Sequence, residues 1–424
     1  MKVVLFEPED VSDLYPLVYL RPVFELRCGI YTLREKIVRK FPDSEIFLET
    51  RDELDAVTAA KHERDRVNSF EAVRPDDDIL LVSAGAILHQ DPEFYTQEER
   101  VGVDQEDNFV WAFLSRDTVE RLDSPASIGL AQKAREELAS FTVDDCLIQY
   151  PWDLIDITGD EIELDYRDFY TRVRESNPLQ GAKMMGSAED LSIGKDVEIQ
   201  PFSWIDCREG PVVIEDGVTV RAHTSIEGPA YIGADTQLCE AKIREGTSIG
   251  PVCRVGGEVE ESILHGYANK YHTGFLGHSY VCEWVNLGAM TSNSDLKNDY
   301  STVNLRPPGG KPVDSGSKKV GSFIGDHTKT SIGTFLNTGS IIGIMCNLLA
   351  GSSVLPKTIP SFCWYVQDRI SKGLGLDYAL KTAGTVMERR DRELTEAMVE
   401  LIRYTEELTA EAKTEAVKRA RRKM

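Results

Sequence analysis

The sequence has no CxxC pair, no long apolar run and far fewer basic than acidic residues. Its eight cysteines (Cys28, Cys146, Cys207, Cys239, Cys253, Cys282, Cys346, Cys363) are scattered. That excludes a zinc ribbon or a dense disulfide framework and reads as buried free thiols in a reducing compartment. The most apolar stretch, residues 341–350, is broken by Gly343 and Asn347, so no membrane insertion is expected. The opening MKVVLFEPED turns acidic too soon for a signal peptide. Lysine and arginine number 48 against 71 aspartates and glutamates, a net charge of −23. Such a chain is repelled by nucleic acid and by anionic lipid. These absences predict a cytoplasmic protein with no nucleic-acid partner.

With 424 residues, the chain is too long for one ordinary core, and 41% hydrophobic residues are enough to bury two or three. Residues 1–188 read as an α/β layered domain. Short apolar strands are expected at 3–6, 46–48 and 109–114, and helices at 30–41 and 127–140. The run DILLVSAGAIL at 78–88 has the continuous apolar character of a strand buried on both faces of a parallel sheet.

From about residue 190 the period changes to six. Aliphatic residues recur at Ile193, Ile199 and Ile205; at Ile214, Val220, Ile226, Ile232 and Leu238; and at Ile243, Ile249 and Val255. A later series runs Ile324, Thr330, Leu336, Ile342, Leu348, Val354. Neither an amphipathic helix nor a half-buried strand has this period. A β-solenoid does, each short side sending one aliphatic side chain inward, with three sides making a coil of about 18 residues. Glycine often follows the inward aliphatic, as at Ile232-Gly233 and Ile249-Gly250, where a side chain would clash.

Residues 189–365 are therefore expected to form this solenoid, interrupted at 293–319 by a polar segment whose Pro307-Pro308-Gly309-Gly310 marks an extruded loop. Residues 366–424 turn helical from about Leu376 to Lys423, a cap over the solenoid's open end. Their basic tail reads as a solvated helix end in preference to a site for an anionic partner.

Residues 270–295, KYHTGFLGHSYVCEWVNLGAMTSNSD, add a motif to this layout. A histidine (His272) is followed three residues on by an aromatic with Leu-Gly (Phe275-Leu276-Gly277), then by Val285-Asn286-Leu287-Gly288-Ala289. With an α/β half before the hexads, this resembles the GlmU-like family of bifunctional N-acetylglucosamine-1-phosphate uridylyltransferases/glucosamine-1-phosphate acetyltransferases. The resemblance implies a nucleotidyltransferase-like first domain and a left-handed parallel β-helix that forms a homotrimer with active sites between subunits. It implies His272 as general base toward a sugar amine, with acetyl-CoA as co-substrate. Asn286 would orient the sugar substrate, and Gly288 and Ala289 would touch the thioester end of CoA. His278 is the competing base, at the wrong spacing from the aromatic; His223, His265 and His327 lack motif support.

The sequence also departs from that pattern. Phe275 stands where the family has tyrosine, and Glu260 or Glu261 falls near its phosphate-gripping lysine, where a carboxylate repels a sugar phosphate. Lys270 or Lys297 is then the expected substitute. The Gly-rich nucleotide loop is replaced by Phe6-Glu7-Pro8-Glu9-Asp10, leaving Arg21 as a phosphate partner. Val82-Ser83-Ala84-Gly85-Ala86 carries no acid where the family has its metal aspartate, so Mg²⁺ enters only with an active N-terminal half. Three readings follow. The favoured one is acyl transfer to an amino sugar or sugar phosphate in envelope-precursor metabolism, with no metal in that site. The others are active sugar-1-phosphate nucleotidyl transfer and a non-catalytic assembly subunit.

Overall fold

Strand β1 (Lys2–Phe6) is buried at every position and pairs in parallel with β2 (Glu45–Glu49) and β3 (Ile79–Ser83). A strand covered on both faces needs an unbroken apolar run, which VVLF in β1 and ILLV in β3 supply. β4 (Arg100–Val103), β5 (Phe109–Leu114) and β6 (Ser140–Thr142) complete a six-stranded sheet in the order β2-β1-β3-β5-β4-β6. The computed structural model describes residues 1–63, 66–70, 77–170, 179, 181–351 and 353–422.

Helix α1 (Leu33–Lys40) begins at Thr32, whose hydroxyl accepts the Glu35 N–H at 3.2 Å while the Glu35 carboxylate accepts the Thr32 N–H at 2.8 Å. This reciprocal cap starts the helix three residues later than its apolar pattern suggests. Helix α2 (Ser127–Glu137) packs Leu130, Ala131 and Ala134 into the sheet's core. It stops short of the expected residue 140 because Ser140 pairs with Val101 on β4. The α/β layering read from the sequence is present.

Met1–Val11, Leu20–Leu26 and Tyr31–Gln149 form this first compact unit; the second contains Ser12–Tyr19, Arg27–Ile30 and the chain from Tyr150. The division falls at Gln149 rather than near 188, because helix α3 (Pro151–Phe169) packs on solenoid strands Ala230–Ile232 and Thr247–Ile249. Residues 27–30 lie against both helix α3 and the solenoid strand Thr247–Ile249. Gly29 N–H donates to Thr158 Oγ1 and Ile30 N–H to Asp165 Oδ2, while Ser248 Oγ donates to the Gly29 carbonyl. Gly29 has φ +72°, and a Cβ there would lie 2.6 Å from Asp165 Oδ2, so no other residue fits.

The second unit is a parallel β-solenoid. Nine strands from Leu191–Ile193 to Thr358–Ile359 stack in one sheet, every neighbouring pair parallel. Ile193, Ile214, Ile232, Ile249, Leu264, Val281, Ile324 and Ile342 point into one continuous core. Val354 breaks the expected series: it is 50% exposed, and Leu355, one residue on, fills the core at 1%. Thr330 is buried and hydrogen-bonds the Thr291 hydroxyl at 2.7 Å, which explains a polar side chain in an inward slot.

Most coils advance about 17 residues, but Ser322 N–H reaches back 43 residues to Ser279 Oγ. The excess is the extruded loop, which carries a short antiparallel hairpin, Asn304–Leu305 with Val313–Asp314. Buried Asn293 bridges the gap, its side chain donating to the Gly277 carbonyl and accepting from the Gly277 N–H, both at 2.9 Å.

At the far end, Arg369–Ser371 turns back antiparallel on Trp364–Val366 and ends the stack. Helices α4 (Leu376–Glu388), α5 (Glu396–Leu408) and α6 (Ala410–Arg422) follow, with α6 against that last strand. The expected helical cap is present; Lys423 lies outside the described residues. None of the eight cysteines forms a disulfide, and among the described residues no helix is long and apolar enough to cross a membrane.

In the first unit Glu25 accepts from Arg34 Nε at 2.7 Å and pairs with His62 Nε2 at 3.1 Å. Burial pushes its carboxyl up, but the His62 hydrogen bond and the charges of Arg34, His62 and Lys61 outweigh this and hold it at about 2. A depressed carboxyl stabilises the fold above its unfolded value of 4.5 and loses that contribution as pH falls through about 2. Glu25→Gln is therefore expected to cost roughly 3 kcal/mol in urea unfolding at pH 7 and about half of that at pH 3. An equal cost at both pH values would show that the ion pairs do not stabilise this unit.

Candidate functional site

Solenoid geometry stacks the two halves of the motif on successive coils. Asn286 lies directly over Asn269 on the preceding coil, and Lys329 lies over Asn286 on the next. Leu287 N–H donates to the Asn269 carbonyl at 2.7 Å, and Met290 N–H to the Thr273 carbonyl at 2.8 Å. Residues 269–273 and 286–290 therefore form adjacent levels of one corner, and His272, Asn286, Gly288 and Ala289 all belong to it. His272 is exposed, its ring edge-on to Tyr271 at 5.5 Å. It is not sealed inside a coil.

Asn286 is also exposed and accepts from Asn269 Nδ2 at 3.3 Å; Asn269 Oδ1 in turn accepts from Arg390 Nη2 at 3.1 Å. Gly288 N–H donates to Thr330 Oγ1, and the Ala289 carbonyl accepts from Gly333 N–H. A side chain at Gly288 would meet the Ser331 backbone at 2.6 Å, so the motif glycine permits the next coil to close down. Phe275 is half-buried between Glu258, its partner in the preceding coil, and Ser292, whose hydroxyl accepts the Phe275 N–H. Exposed Met290 and Ile332 add apolar surface at the same corner.

The three cations expected to grip phosphate are otherwise engaged. Lys270 occupies an inward slot and is only 2% exposed; its ammonium donates to the carbonyls of Gly256 and Gly274, each at 2.7 Å. Lys297 Nζ donates to Ser301 Oγ and the Thr302 carbonyl, folding its own loop. Arg21 is buried in the first unit at 2% exposure.

Other cations surround Asn286. Arg254 precedes Asn269 in the same column, Lys329 follows Asn286, and Arg390 reaches in from beyond helix α4. Arg254 Nη1 donates to the Asp235 and Cys253 carbonyls and Lys329 Nζ to the His327 carbonyl, but among the described residues none of these three cations forms an ion pair with a carboxylate. Burial and then the nearby Arg390 charge lower the pKa of Arg254, and burial lowers that of Lys329 to about 8. In a chain of net charge −23, uncompensated positive charge is the unusual feature. Sequence held part of the signal, since Arg254 and Lys329 each immediately precede an inward hexad residue and so face outward. Arg390 could not be assigned this way, because it lies outside the repeat.

His278 belongs to a separate charged column. Glu261, His278 and Asp295 recur at a 17-residue step on successive coils. His278 Nδ1 meets Asp295 Oδ2 at 2.9 Å and Nε2 meets Glu261 Oε2 at 3.0 Å. Burial alone would depress this imidazole, but the two carboxylates outweigh it and lift its pKa to about 9. A histidine held charged cannot accept a proton at neutral pH, which sets His278 aside as a base. Of the others, His223 stacks on Phe202, His327 on Trp284, and His265 hydrogen-bonds Tyr280.

The residues of the first unit do not fit an Mg²⁺ ion where the family carries one. The end of β3 brings Ser83, Ala84 and Gly85, none with a carboxylate. Glu7 is spent on protein donors: Val23 N–H at 2.8 Å, Thr50 Oγ1 at 2.7 Å, and Arg51 through N–H at 3.0 Å and Nε at 3.1 Å.

Residues 3–174 match the family model described as sugar nucleotidyl transferase. The chain is 32% identical over 158 residues to a bifunctional sugar-1-phosphate nucleotidylyltransferase/acetyltransferase of Sulfurisphaera tokodaii, covering 34% of this chain and 37% of that protein. It is 27% identical over 226 residues to the bifunctional protein GlmU of Synechococcus elongatus, covering 48% and 45%. The matched stretches thus span less than half of these relatives. The sequence-level resemblance is met at modest identity by proteins whose names are those of transferases. An Arabidopsis UDP-N-acetylglucosamine acyltransferase structure overlaps 50% of this chain and 78% of its own, at 12% identity and a TM-score of 0.27, too slight a likeness to bear on function.

Because the Lys270 ammonium donates to two carbonyls inside the coil, Lys270→Met removes both of these hydrogen bonds and leaves the Gly274 carbonyl only the Glu258 N–H. It is expected to lower stability by about 2–4 kcal/mol in urea unfolding, whereas a surface lysine costs under ~0.5 kcal/mol. A cost in the surface range would return Lys270 to the phosphate-binding role.

Proposed function

We propose that the protein is a CoA-dependent acyltransferase that acetylates an amino sugar or sugar phosphate in sugar-nucleotide or envelope-precursor metabolism. The chemistry belongs to the Asn286 corner. His272 takes a proton from the acceptor amine as its nitrogen attacks the thioester carbonyl; the new C–N bond forms, the C–S bond breaks, and CoA leaves as its thiol. An exposed imidazole suits this role because it can release the proton to solvent. Asn286 orients the acceptor, and the backbone at Gly288 and Ala289 passes along the thioester arm.

The observation that carries this reading is the pairing of the motif corner with Arg254, Lys329 and Arg390, three cations without carboxylate partners among the described residues. Sugar phosphates and CoA both present phosphate, which such a group attracts. Phe275 supplies an apolar wall where a hydroxyl would be expected, so substrate orientation rests more heavily on Asn286. Exposed Met290, Ile332 and Phe335 support the homotrimer, since this apolar strip is left wet on a lone chain.

His272→Gln is expected to lower acetyl-CoA-dependent thiol release by at least ~100-fold with glucosamine-1-phosphate or another amino-sugar acceptor. The trimeric mass by light scattering should be unchanged, as the side chain lies on the surface. Turnover retained by the variant would remove His272 from the mechanism.

A second reading, sugar-1-phosphate nucleotidyl transfer by the first unit, is favoured by the family-model match over residues 3–174. The engaged Glu7 and the missing carboxylate after β3 oppose it. Pyrophosphate release from nucleoside triphosphate plus a sugar-1-phosphate, with MgCl₂ present, is expected to be weak or absent. Robust turnover in that assay would transfer the principal activity to the first unit.

A further inference from the structure

We propose that Glu260, Glu261 and His278 bind one divalent cation of the zinc class, which joins two successive coils. The three residues bring an imidazole nitrogen and two carboxylate oxygens to within 4.8 Å of one another, on a part of the solenoid the acyl-transfer corner does not use.

The orientation of the imidazole is the first argument. His278 Nδ1 lies 2.9 Å from Asp295 Oδ2, which engages that ring nitrogen and leaves Nε2 turned toward the cluster. A carboxylate behind the distal ring nitrogen is what fixes a metal-binding histidine and aims its other nitrogen at the ion. That other nitrogen, Nε2, faces Glu261 Oε2 at 3.0 Å. Two ligand atoms on a tetrahedral zinc stand about 3.3 Å apart, given metal–ligand bonds near 2.0–2.1 Å. A few tenths of an ångström would therefore admit an ion in place of the proton now shared there. Glu260 supplies the third ligand atom, an oxygen, and water completes the shell.

The second argument is charge. Asp156, Glu260, Glu261 and Asp295 bring four carboxylates, opposed by His278 and by Lys319, whose Nζ lies 3.1 Å from Glu260 Oε1. Negative charge remains in excess even with the imidazole protonated. The third is access: a cavity of about 610 Å³ on the solenoid opens onto Glu261 and Asp156. One imidazole with two carboxylates suits zinc-like ions better than Mg²⁺, which takes oxygen ligands alone.

The test is isothermal titration of EDTA-treated, tag-free protein with ZnCl₂ at pH 7.5, run on the Cys146→Ser/Cys239→Ser background so that half-buried thiols do not compete. One ion per chain is expected, absent in Glu261→Gln and in His278→Gln. Asp295→Asn should weaken affinity 10- to 100-fold without abolishing it. Lys319→Met, which frees Glu260 from its ion pair, should tighten binding. Zn²⁺ should raise the melting temperature of the unmutated site and leave Glu261→Gln unmoved; Glu260→Gln serves as the alternative if either variant fails to fold by circular dichroism. No uptake by the unmutated site, or the same stoichiometry after Glu261→Gln, overturns the proposal.

Discussion

Everything in the second unit depends on one constraint, the parallel registry of a coil that returns to the same place after about 17 residues. Once backbone hydrogen bonds fix that return, a side chain's position on the coil determines both its direction and its vertical neighbours. Aliphatic residues at the inward positions fuse into one core, and the positions between them become columns on the outside. Close stacking also restricts composition: a Cβ at Gly233 would come within 2.6 Å of the next coil's backbone. The glycines after inward aliphatics are therefore a consequence of coil spacing and not of chain flexibility.

Columns turn sequence into chemistry here. One column sets Arg254, Asn269, Asn286 and Lys329 above one another; another sets Glu261, His278 and Asp295 in line. The first accumulates positive charge without compensation, and the second surrounds an imidazole with carboxylates. The same repeat thus produces an anion-attracting corner and a cation-attracting column. Charge of opposite sign is separated because each column is filled independently of its neighbours.

The first unit is governed differently. Its parallel strands are specified by continuous apolar runs, and the turn after β1, where nucleotide-binding proteins place glycines and phosphate, holds a carboxylate instead. Glu7 accepts from the main chain at Val23 and Arg51 and from the Thr50 hydroxyl. These donors surround the side chain as they would an anion, so the carboxylate that stands in place of a glycine-rich loop is a satisfied structural node.

Sequence alone determined the periodicities: a two-sided buried run at 78–88, of which the structure makes Ile79–Ser83 the sheet strand, the hexads, the extruded loop and the helical end. Each follows from spacing along the chain, which a backbone of fixed rise converts directly into direction. It also singled out His272 and Asn286, because their motif is contiguous. It misjudged Lys270, Val354 and the separation near residue 188, and had no view of Arg390. These outcomes required the tertiary structure. A long side chain such as Lys270 can turn inward or outward at little local cost, and only the carbonyls of Gly256 and Gly274 decide which. Arg390 reaches Asn269 across 121 residues, a proximity that no local pattern encodes because the folding of the intervening chain creates it.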